Sequence, residues 1–122
     1  MSAQKLLVVE DDALNQQLIT EMLSILYPDV DVVVAEDGIE ALEHLDTTSF
    51  AAILSDIGMP RMDGIELIRQ VRQRLKLSVP AICLTAFTIS GDRERFISCG
   101  YDEFVAKPID FAELKAVLEK YL

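Results

Sequence analysis

Five short apolar runs alternate along this chain with stretches of helical periodicity. A short apolar run bounded by turn signals is typical of a strand buried on both faces of a sheet. The predicted strands are Lys5–Val9, Val30–Ala35, Ala51–Ser55, Ala81–Thr85 and Glu103–Ala106. Because a predicted helix separates each strand from the next, the strands are expected to run parallel through right-handed crossovers. The sequence therefore predicts an α/β, doubly wound (βα)5 domain with helices on both faces of a five-stranded parallel sheet.

The predicted helices have identifiable ends. The first ends before Pro28 and the fourth ends at Gly100, while three others follow an aspartate that has a glutamate three residues later. This spacing predicts N-caps at Asp37, Asp63 and Asp110. The predicted helices are Leu14–Leu26, Gly38–Leu45, Ile65–Leu75, Asp92–Cys99 and Asp110–Leu122.

Several other charged residues are interpreted as surface groups. The third helix carries four basic residues that predict a solvent-exposed face: Arg69, Arg72, Arg74 and Lys76. We interpret Asp12, Glu36 and Asp102 as solvated acids at loop mouths. His44, the single histidine, is expected at the surface of the second helix.

Length and charge limit the possible functions. At 122 residues the chain is predicted to form one domain, residues 1–122. Its net charge of −10, from 21 acidic and 11 basic residues, argues against binding to nucleic acid or to an anionic membrane. Its apolar runs are far shorter than the ~18 residues that indicate a transmembrane helix, and its acidic N-terminal stretch is atypical of a secretory signal. We expect a cytoplasmic protein that does not insert into membranes, with Cys83 and Cys99 as reduced thiols.

Chemically complementary residues follow the ends of four predicted strands. Glu10 and Asp11 follow the first strand, Asp56 follows the third, Thr85 ends the fourth and Lys107 follows the fifth. The carboxyl ends of parallel strands lie at one edge of the sheet, where ligands bind in open α/β folds. The residues converge there if the first and third strands are neighbours.

The three carboxylates at this edge would repel one another unless cations balance them. Oxygen ligands favour Mg²⁺, and the absence of histidine or cysteine at this edge argues against zinc. An aspartate beside Mg²⁺, a lysine and a threonine can accept a phosphoryl group. The cation, the lysine ammonium and the threonine hydroxyl neutralise the negative charge that develops on the phosphoryl oxygens.

Four segments in this order and spacing, LLVVEDD, SDIGMPRMDG, LTA and FVAKPI, resemble the receiver domain of two-component response regulators. The resemblance extends from Lys5 to Leu122 and is to a single-domain, chemotaxis-regulator-like receiver. It implies a flavodoxin-like sheet with strand order 2-1-3-4-5. It also implies a signalling module that catalyses only its own phosphorylation and dephosphorylation. The implied donor is a histidine kinase or a histidine phosphotransfer protein, and the implied downstream target is another protein.

The resemblance assigns roles in metal binding and phosphoryl acceptance. Asp56 is the expected phosphoryl acceptor and a contributor to a Mg²⁺ site, with Mn²⁺ as an alternative ion. Asp11 is expected to bind the ion directly, and Glu10 through water. The main-chain carbonyl of Gly58 is expected to supply a further ligand.

The resemblance also implies a switch. Thr85 and Lys107 are expected to hold the phosphoryl oxygens, with the Lys107–Pro108 bond in the cis form. Movement of the Thr85 hydroxyl toward the phosphoryl group would free space for the aromatic residue at position 104 to turn inward. That residue is Phe104, where many relatives have tyrosine, so only the steric part of the switch is retained. The expected output surface is formed by residues 92–122.

Two further positions bear on how long the phosphoryl group would last. In the family, the residues two beyond the acceptor and two beyond the threonine line the path of the hydrolytic water. Here they are Gly58 and Phe87, and neither side chain can orient water. The sequence therefore predicts slow intrinsic dephosphorylation.

Two alternatives remain open. The chain could be the receiver domain of a hybrid histidine kinase or of a longer regulator, which Asn15 in EDDALNQQL favours. The close approach of the last predicted helix to the end of the chain favours a stand-alone regulator instead. A phosphatase of the haloacid dehalogenase type, with an aspartate nucleophile, requires an Asp-x-Asp-x-Thr pattern after the first strand, and the sequence EDDAL at that point does not supply it.

Overall fold

The computed structural model describes residues 4–59, 62–86 and 92–122 and contains one parallel five-stranded sheet. Its strands are β1 Lys5–Val9, β2 Asp31–Ala35, β3 Ala52–Asp56, β4 Ala81–Thr85 and β5 Glu103–Ala106. They are ordered β2-β1-β3-β4-β5, with every neighbouring pair parallel. The predicted fold class and strand order are confirmed. Because β1 and β3 are neighbours, the acidic residues at their carboxyl ends lie side by side.

The helices agree with the predictions except at their ends. They are α1 Ala13–Leu26, α2 Gly38–Thr47, α3 Gly64–Arg69, α4 Asp92–Cys99 and α5 Phe111–Leu118. The third helix was expected to continue unchanged to Leu75, but its α-helical part ends at Arg69 and is followed by a π-helical turn, Gln70–Arg74. The last helix ends at Leu118 instead of Leu122. Apolar spacing does not distinguish an α-helical turn from a slightly wider one, since both place the same stripe toward the core.

Two apolar layers cover the two faces of the sheet. Alternate residues of β1 point to opposite faces, so that Leu6 and Val8 join one layer while Leu7 and Val9 join the other. The first layer is completed by α1 and α5, and the second by α2, α3 and α4. The central strands β3 and β4 are buried along their whole length, as predicted for strands covered on both sides. Among the described residues, no helix combines the length and the apolar character needed to cross a membrane.

Aspartate side chains cap the N-termini of four helices. Asp37 and Asp63 accept hydrogen bonds from the main-chain N–H groups three residues on, each at 2.9 Å, and Asp110 accepts from the N–H of Ala112 at 3.0 Å. These caps confirm the predictions. The interpretation of Asp12 as a surface acid was incomplete, because its carboxylate accepts from the N–H of Asn15 at 3.2 Å and caps α1.

Arg72 was predicted to lie on a solvent-exposed face, and this prediction was wrong. Its guanidinium donates to three main-chain carbonyls, those of Gly100, Leu77 and Val79, at 3.0, 2.9 and 2.7 Å. It also donates to the carboxylate of Asp102 at 3.1 Å. Asp102 in turn accepts from the N–H of Ala81 at the start of β4, so it is a structural partner as well as a surface acid. These contacts fix the chain at the edge of the sheet opposite to the predicted site.

We expect Arg72→Met to lower the free energy of unfolding by about 2–4 kcal/mol, because it leaves several acceptors at this edge without their charged donor. Urea unfolding followed by circular dichroism measures the change. The matched control is Arg69→Met, since Arg69 is more than half exposed and its ion pair, with Glu66 at 3.5 Å, lies on the surface of the same helix. The control should change stability by no more than about 0.5 kcal/mol. Equal effects of the two substitutions would contradict the structural role of Arg72.

Candidate functional site

The carboxyl ends of β1 and β3 bring three carboxylates together. One oxygen from each of Glu10, Asp11 and Asp56 lies within 4.8 Å of the others. Glu10 is almost fully buried and Asp56 is 8% exposed, whereas Asp11 faces solvent. The main chain holds Glu10 in place because its N–H donates to the carbonyl of Ala35 at 3.0 Å. The predicted convergence of these acids is thus present in the fold.

Lys107 reaches this cluster from the end of β5. Its Nζ atom lies 3.1 Å from Oε2 of Glu10 and 3.2 Å from Oδ1 of Asp56. The Lys107–Pro108 peptide bond is cis, and the N–H of Lys107 donates to the carbonyl of Thr85 at 2.8 Å. Burial lowers the pKa of Lys107, but the hydrogen bond to Glu10 and the charge of Asp56 outweigh it, so the pKa is raised. The lysine is therefore a firmly charged partner of two carboxylates.

The environment of Glu10 opposes its charge. Burial and the neighbouring charge of Asp56 raise the pKa of Glu10, and the contact with Lys107 compensates only in part. A second cation beside the carboxylates would relieve this repulsion. The oxygen-only chemistry of the cluster matches the preference of Mg²⁺ for carboxylate, carbonyl and water ligands. Asp11 is best placed to bind such an ion from the solvent side, because it is exposed.

Gly58 lies two residues beyond Asp56, and it is exposed. A Cβ atom added there would have no neighbouring heavy atom within 4 Å among the described residues. Within the described part of the chain, the space beside its Cα atom is therefore open. Phe87, the other residue of the predicted hydrolysis path, lies outside the described residues.

The two predicted switch residues lie on β4 and β5. Thr85 is 1% exposed at the end of β4 and is paired in register with Ala106. Phe104 is half-buried, and its ring stacks on that of Phe96 in α4, with 6.0 Å between the ring centroids and 14° between the ring planes. The aromatic residue at position 104 therefore packs directly against the helix at one border of the predicted output surface.

Side chains that the sequence analysis did not single out support the site. The Nε2 atom of Gln16, in the first part of α1, donates to the carbonyl of Glu10 at 2.6 Å. The N–H of Asp12 donates to the Glu10 carboxylate at 3.3 Å. The sequence contained one signal for the role of Gln16. It is an amide residue in the first turns of the helix that follows the acidic end of β1.

Comparisons with known proteins agree with this geometry. A family model described as the response regulator receiver domain matches residues 6–119. The receiver domain of sensor histidine kinase PA1611 from Pseudomonas aeruginosa, solved with a magnesium ion coordinated in the active-site cleft, is 37% identical with a TM-score of 0.86. The match covers 98% of this chain and 97% of that one. The chemotaxis protein CheY4 of Vibrio cholerae is 28% identical with a TM-score of 0.87, and the match covers 98% of this chain and 99% of that one.

Curated relatives include much longer proteins. Hybrid signal transduction histidine kinase L of Dictyostelium discoideum is 36% identical over 96% of this chain and 7% of its own length. Sensor histidine kinase RcsC of Escherichia coli is 34% identical over 95% of this chain and 12% of its own length. The chain thus spans about a tenth of the length of these relatives. The family match, the strand order and the acidic cluster with its lysine lead to one conclusion: the chain belongs to the response regulator receiver domain family of two-component signalling systems.

Proposed function

We propose that Asp56 accepts a phosphoryl group from a phosphohistidine of a partner histidine kinase or histidine phosphotransfer protein. The observation that carries this proposal is the bridge that Lys107 makes between Glu10 and Asp56 inside a cluster of three carboxylates. A purely structural ion pair would not need the exposed Asp11 or the open space at Gly58 beside it. Both features leave room for a metal ion and for an incoming phosphoryl group.

The reaction makes one bond and breaks one. An oxygen of the Asp56 carboxylate attacks the phosphorus atom, the P–O bond forms, the P–N bond to the donor imidazole breaks, and the imidazole leaves and takes a proton. Lys107 and the Thr85 hydroxyl hold the phosphoryl oxygens, and Lys107 neutralises part of their charge. Asp11, Asp56, the Gly58 carbonyl and, through water, Glu10 would hold Mg²⁺, or Mn²⁺ in its place, and the ion would supply the remaining positive charge.

The same event operates a switch. Phosphorylation adds negative charge at Asp56 and draws the Thr85 hydroxyl toward it, which makes room for Phe104 to turn inward. The stacking of Phe104 on Phe96 supports this part of the proposal, because any movement of the Phe104 ring changes its contact with α4. The output surface is then the face formed by residues 92–122, where a downstream protein binds in one state and not in the other.

The proposed role is that of a regulatory module, residues 1–122, that acts in the cytoplasm. It catalyses only its own phosphorylation and dephosphorylation. The strongly acidic composition supports protein partners over nucleic acid. The similarity to receiver domains of sensor kinases supports a histidine-bearing donor, whether this receiver acts as a stand-alone regulator or as part of a longer protein.

Incubation of the protein with a small phosphodonor and Mg²⁺ tests the proposal. We expect intact-protein mass spectrometry to detect the addition of one phosphoryl group, with loss of the modification in hydroxylamine, which cleaves acyl phosphates. Addition of excess EDTA before the donor should prevent the mass gain, because the phosphoryl charge would lack its metal partner. A mass gain that is unaffected by EDTA, or no mass gain with Mg²⁺ present, would contradict the proposal.

A further inference from the structure

Tyr101, in the connection between α4 and β5, is a buried tyrosine whose hydroxyl reaches another part of the chain. It is 2% exposed, and its hydroxyl donates to the main-chain carbonyl of Gly64 at 2.7 Å. Gly64 is the first residue of α3. This is a short, fully buried hydrogen bond between the end of one helix and the beginning of another. A buried tyrosine hydroxyl that keeps such a partner holds it in a defined position.

Gly64 lies directly against the main chain that carries Asp56. A Cβ atom at Gly64 would be 2.5 Å from the carbonyl oxygen of Asp56 and 2.9 Å from the Cα atom of Ile57. The N–H of Gly64 donates to the carbonyl of Ile57 at 2.9 Å, and the N–H of Ile57 donates to Oδ1 of Asp56 at 2.8 Å. The position of Gly64 and the orientation of the Asp56 carboxylate are therefore connected through two hydrogen bonds and one close contact.

A second contact connects Tyr101 to the same stretch of main chain. Ser55, the residue before Asp56, donates its hydroxyl to the carbonyl of Asp56 at 2.9 Å. The Ser55 side chain is also a hydrogen-bonding neighbour of the Tyr101 hydroxyl. Burial raises the pKa of Tyr101, although the contact with Ser55 opposes the increase, so the hydroxyl stays protonated and remains a donor.

The main chain on both sides of Tyr101 is itself anchored. Its N–H donates to the carbonyl of Phe96 in α4 at 3.2 Å, and the next N–H, that of Asp102, donates to the carbonyl of Ala81 at 2.8 Å. Asp102 is also held by Arg72, as described above. Tyr101 is thus a rigid connection between the end of α4 and the loop after β3.

We propose that Tyr101 is a positioning residue of the phosphoryl-acceptor site, which fixes the loop of Asp56 and Gly58 through Gly64 and Ser55. The inference rests on the proposed function of Asp56 as the acceptor. It adds a residue of the 92–122 face that acts on the site without touching the phosphoryl group. Movement of the Asp56 loop on phosphorylation would then be transmitted to the α4–β5 connection through this hydroxyl.

The test is Tyr101→Phe, which removes only the hydroxyl. We expect the folded variant to bind Mg²⁺ about threefold to tenfold more weakly and to accept a phosphoryl group more slowly by a similar factor, because small displacements of reacting groups are costly. Calorimetric titration with Mg²⁺ and the rate of mass gain from a small phosphodonor measure the two effects. Both are measured at a temperature where circular dichroism shows each variant to be fully folded.

The matched control is Tyr121→Phe, since the Tyr121 hydroxyl also makes a hydrogen bond, to Glu103 at 2.8 Å, but Tyr121 follows the end of α5 and its partner is not one of the predicted site residues. The control should retain the Mg²⁺ affinity and phosphorylation rate of the parent within about twofold. Unchanged values in Tyr101→Phe as well would overturn the proposal and leave Tyr101 with a purely structural role. If Tyr101→Phe does not fold, Ser55→Ala provides the same two measurements, with a smaller loss expected and no loss overturning the proposal.

Failure of the proposed function gives a different result. A parent protein that binds Mg²⁺ but gains no phosphoryl mass would contradict the assignment of Asp56 as the acceptor. The positioning role would then be judged by Mg²⁺ affinity alone, where a Tyr101→Phe variant that matches the parent overturns it and a weakened variant supports it.

Discussion

Asp56→Asn is expected to abolish the gain of a phosphoryl group under conditions in which the parent protein is fully modified. The amide oxygen of asparagine is a poor nucleophile, and the substitution also removes one negative charge from the cluster with Glu10 and Asp11. The fold should be retained, because asparagine has nearly the same shape and can still accept the hydrogen bond from the N–H of Ile57. Intact-protein mass spectrometry and circular dichroism together measure both properties.

The same substitution should weaken Mg²⁺ binding, since a neutral ligand replaces a charged one. Asp46→Asn is a suitable control, because Asp46 is an exposed carboxylate in α2 and lies outside the acidic cluster. The control protein should gain one phosphoryl group at the parent rate. A stable mass gain of the same size in Asp56→Asn would show that a different residue is the acceptor and would require a new assignment of the site.

Lys107→Met is expected to affect two properties in opposite directions. Phosphorylation should slow by about 10²-fold, because the group that neutralises the phosphoryl oxygens is lost. Mg²⁺ should bind more tightly, on the order of tenfold. The Lys107 ammonium would no longer pair with the Glu10 and Asp56 carboxylates or repel the ion. A general structural defect would weaken Mg²⁺ binding and slow phosphorylation together. Tighter binding combined with slower phosphorylation would therefore indicate a direct role of Lys107 at the site. Calorimetry and the rate of mass gain provide the two values.

Lys120→Met serves as the control for this experiment. Lys120 also pairs with a carboxylate, that of Glu103 at 3.3 Å, but more than half of its side chain is exposed. Neither Mg²⁺ affinity nor the phosphorylation rate should change in the control. Weaker Mg²⁺ binding in Lys107→Met would mean that the lysine organises the carboxylates for the ion and does not compete with it, contrary to the charge argument.

The strands of the sheet were predictable because each one is marked by the residues within and directly beside it. β1, β4 and β5 have the predicted bounds, since each is a short apolar run between strong turn signals. The shift of β3 by one residue, to Ala52–Asp56, has a physical basis: a strand continues as long as its main chain is hydrogen-bonded to its neighbours, and Asp56 is still paired with Leu84. Polarity of the side chain does not end that pairing. The limits of the third predicted helix differ for another reason, because apolar spacing does not distinguish an α-helical turn from the wider turn that follows it.

The supporting contacts were not predictable from local pattern. Arg72 was interpreted as one of four exposed bases, and nothing nearby in the sequence identifies the carbonyls of Gly100 and Val79 as its acceptors. The partner of Tyr101, Gly64, is likewise distant in sequence, and the packing of α3 against α4 brings them together. The five predicted site residues were identifiable because the carboxyl ends of parallel strands meet at one edge of the sheet, independently of loop conformation. The contacts of Arg72 and Tyr101 depend instead on how each helix packs.

The position of Lys107 in the chain has a consequence for protein synthesis. Glu10, Asp11 and Asp56 all emerge from the ribosome well before their lysine, which arrives only with the fifth strand. A chain that ends before β5 would therefore lack the cation that pairs with Glu10 and Asp56. Under the proposed function, such a chain would accept a phosphoryl group far more slowly than one in which β5 has brought Lys107 to the site.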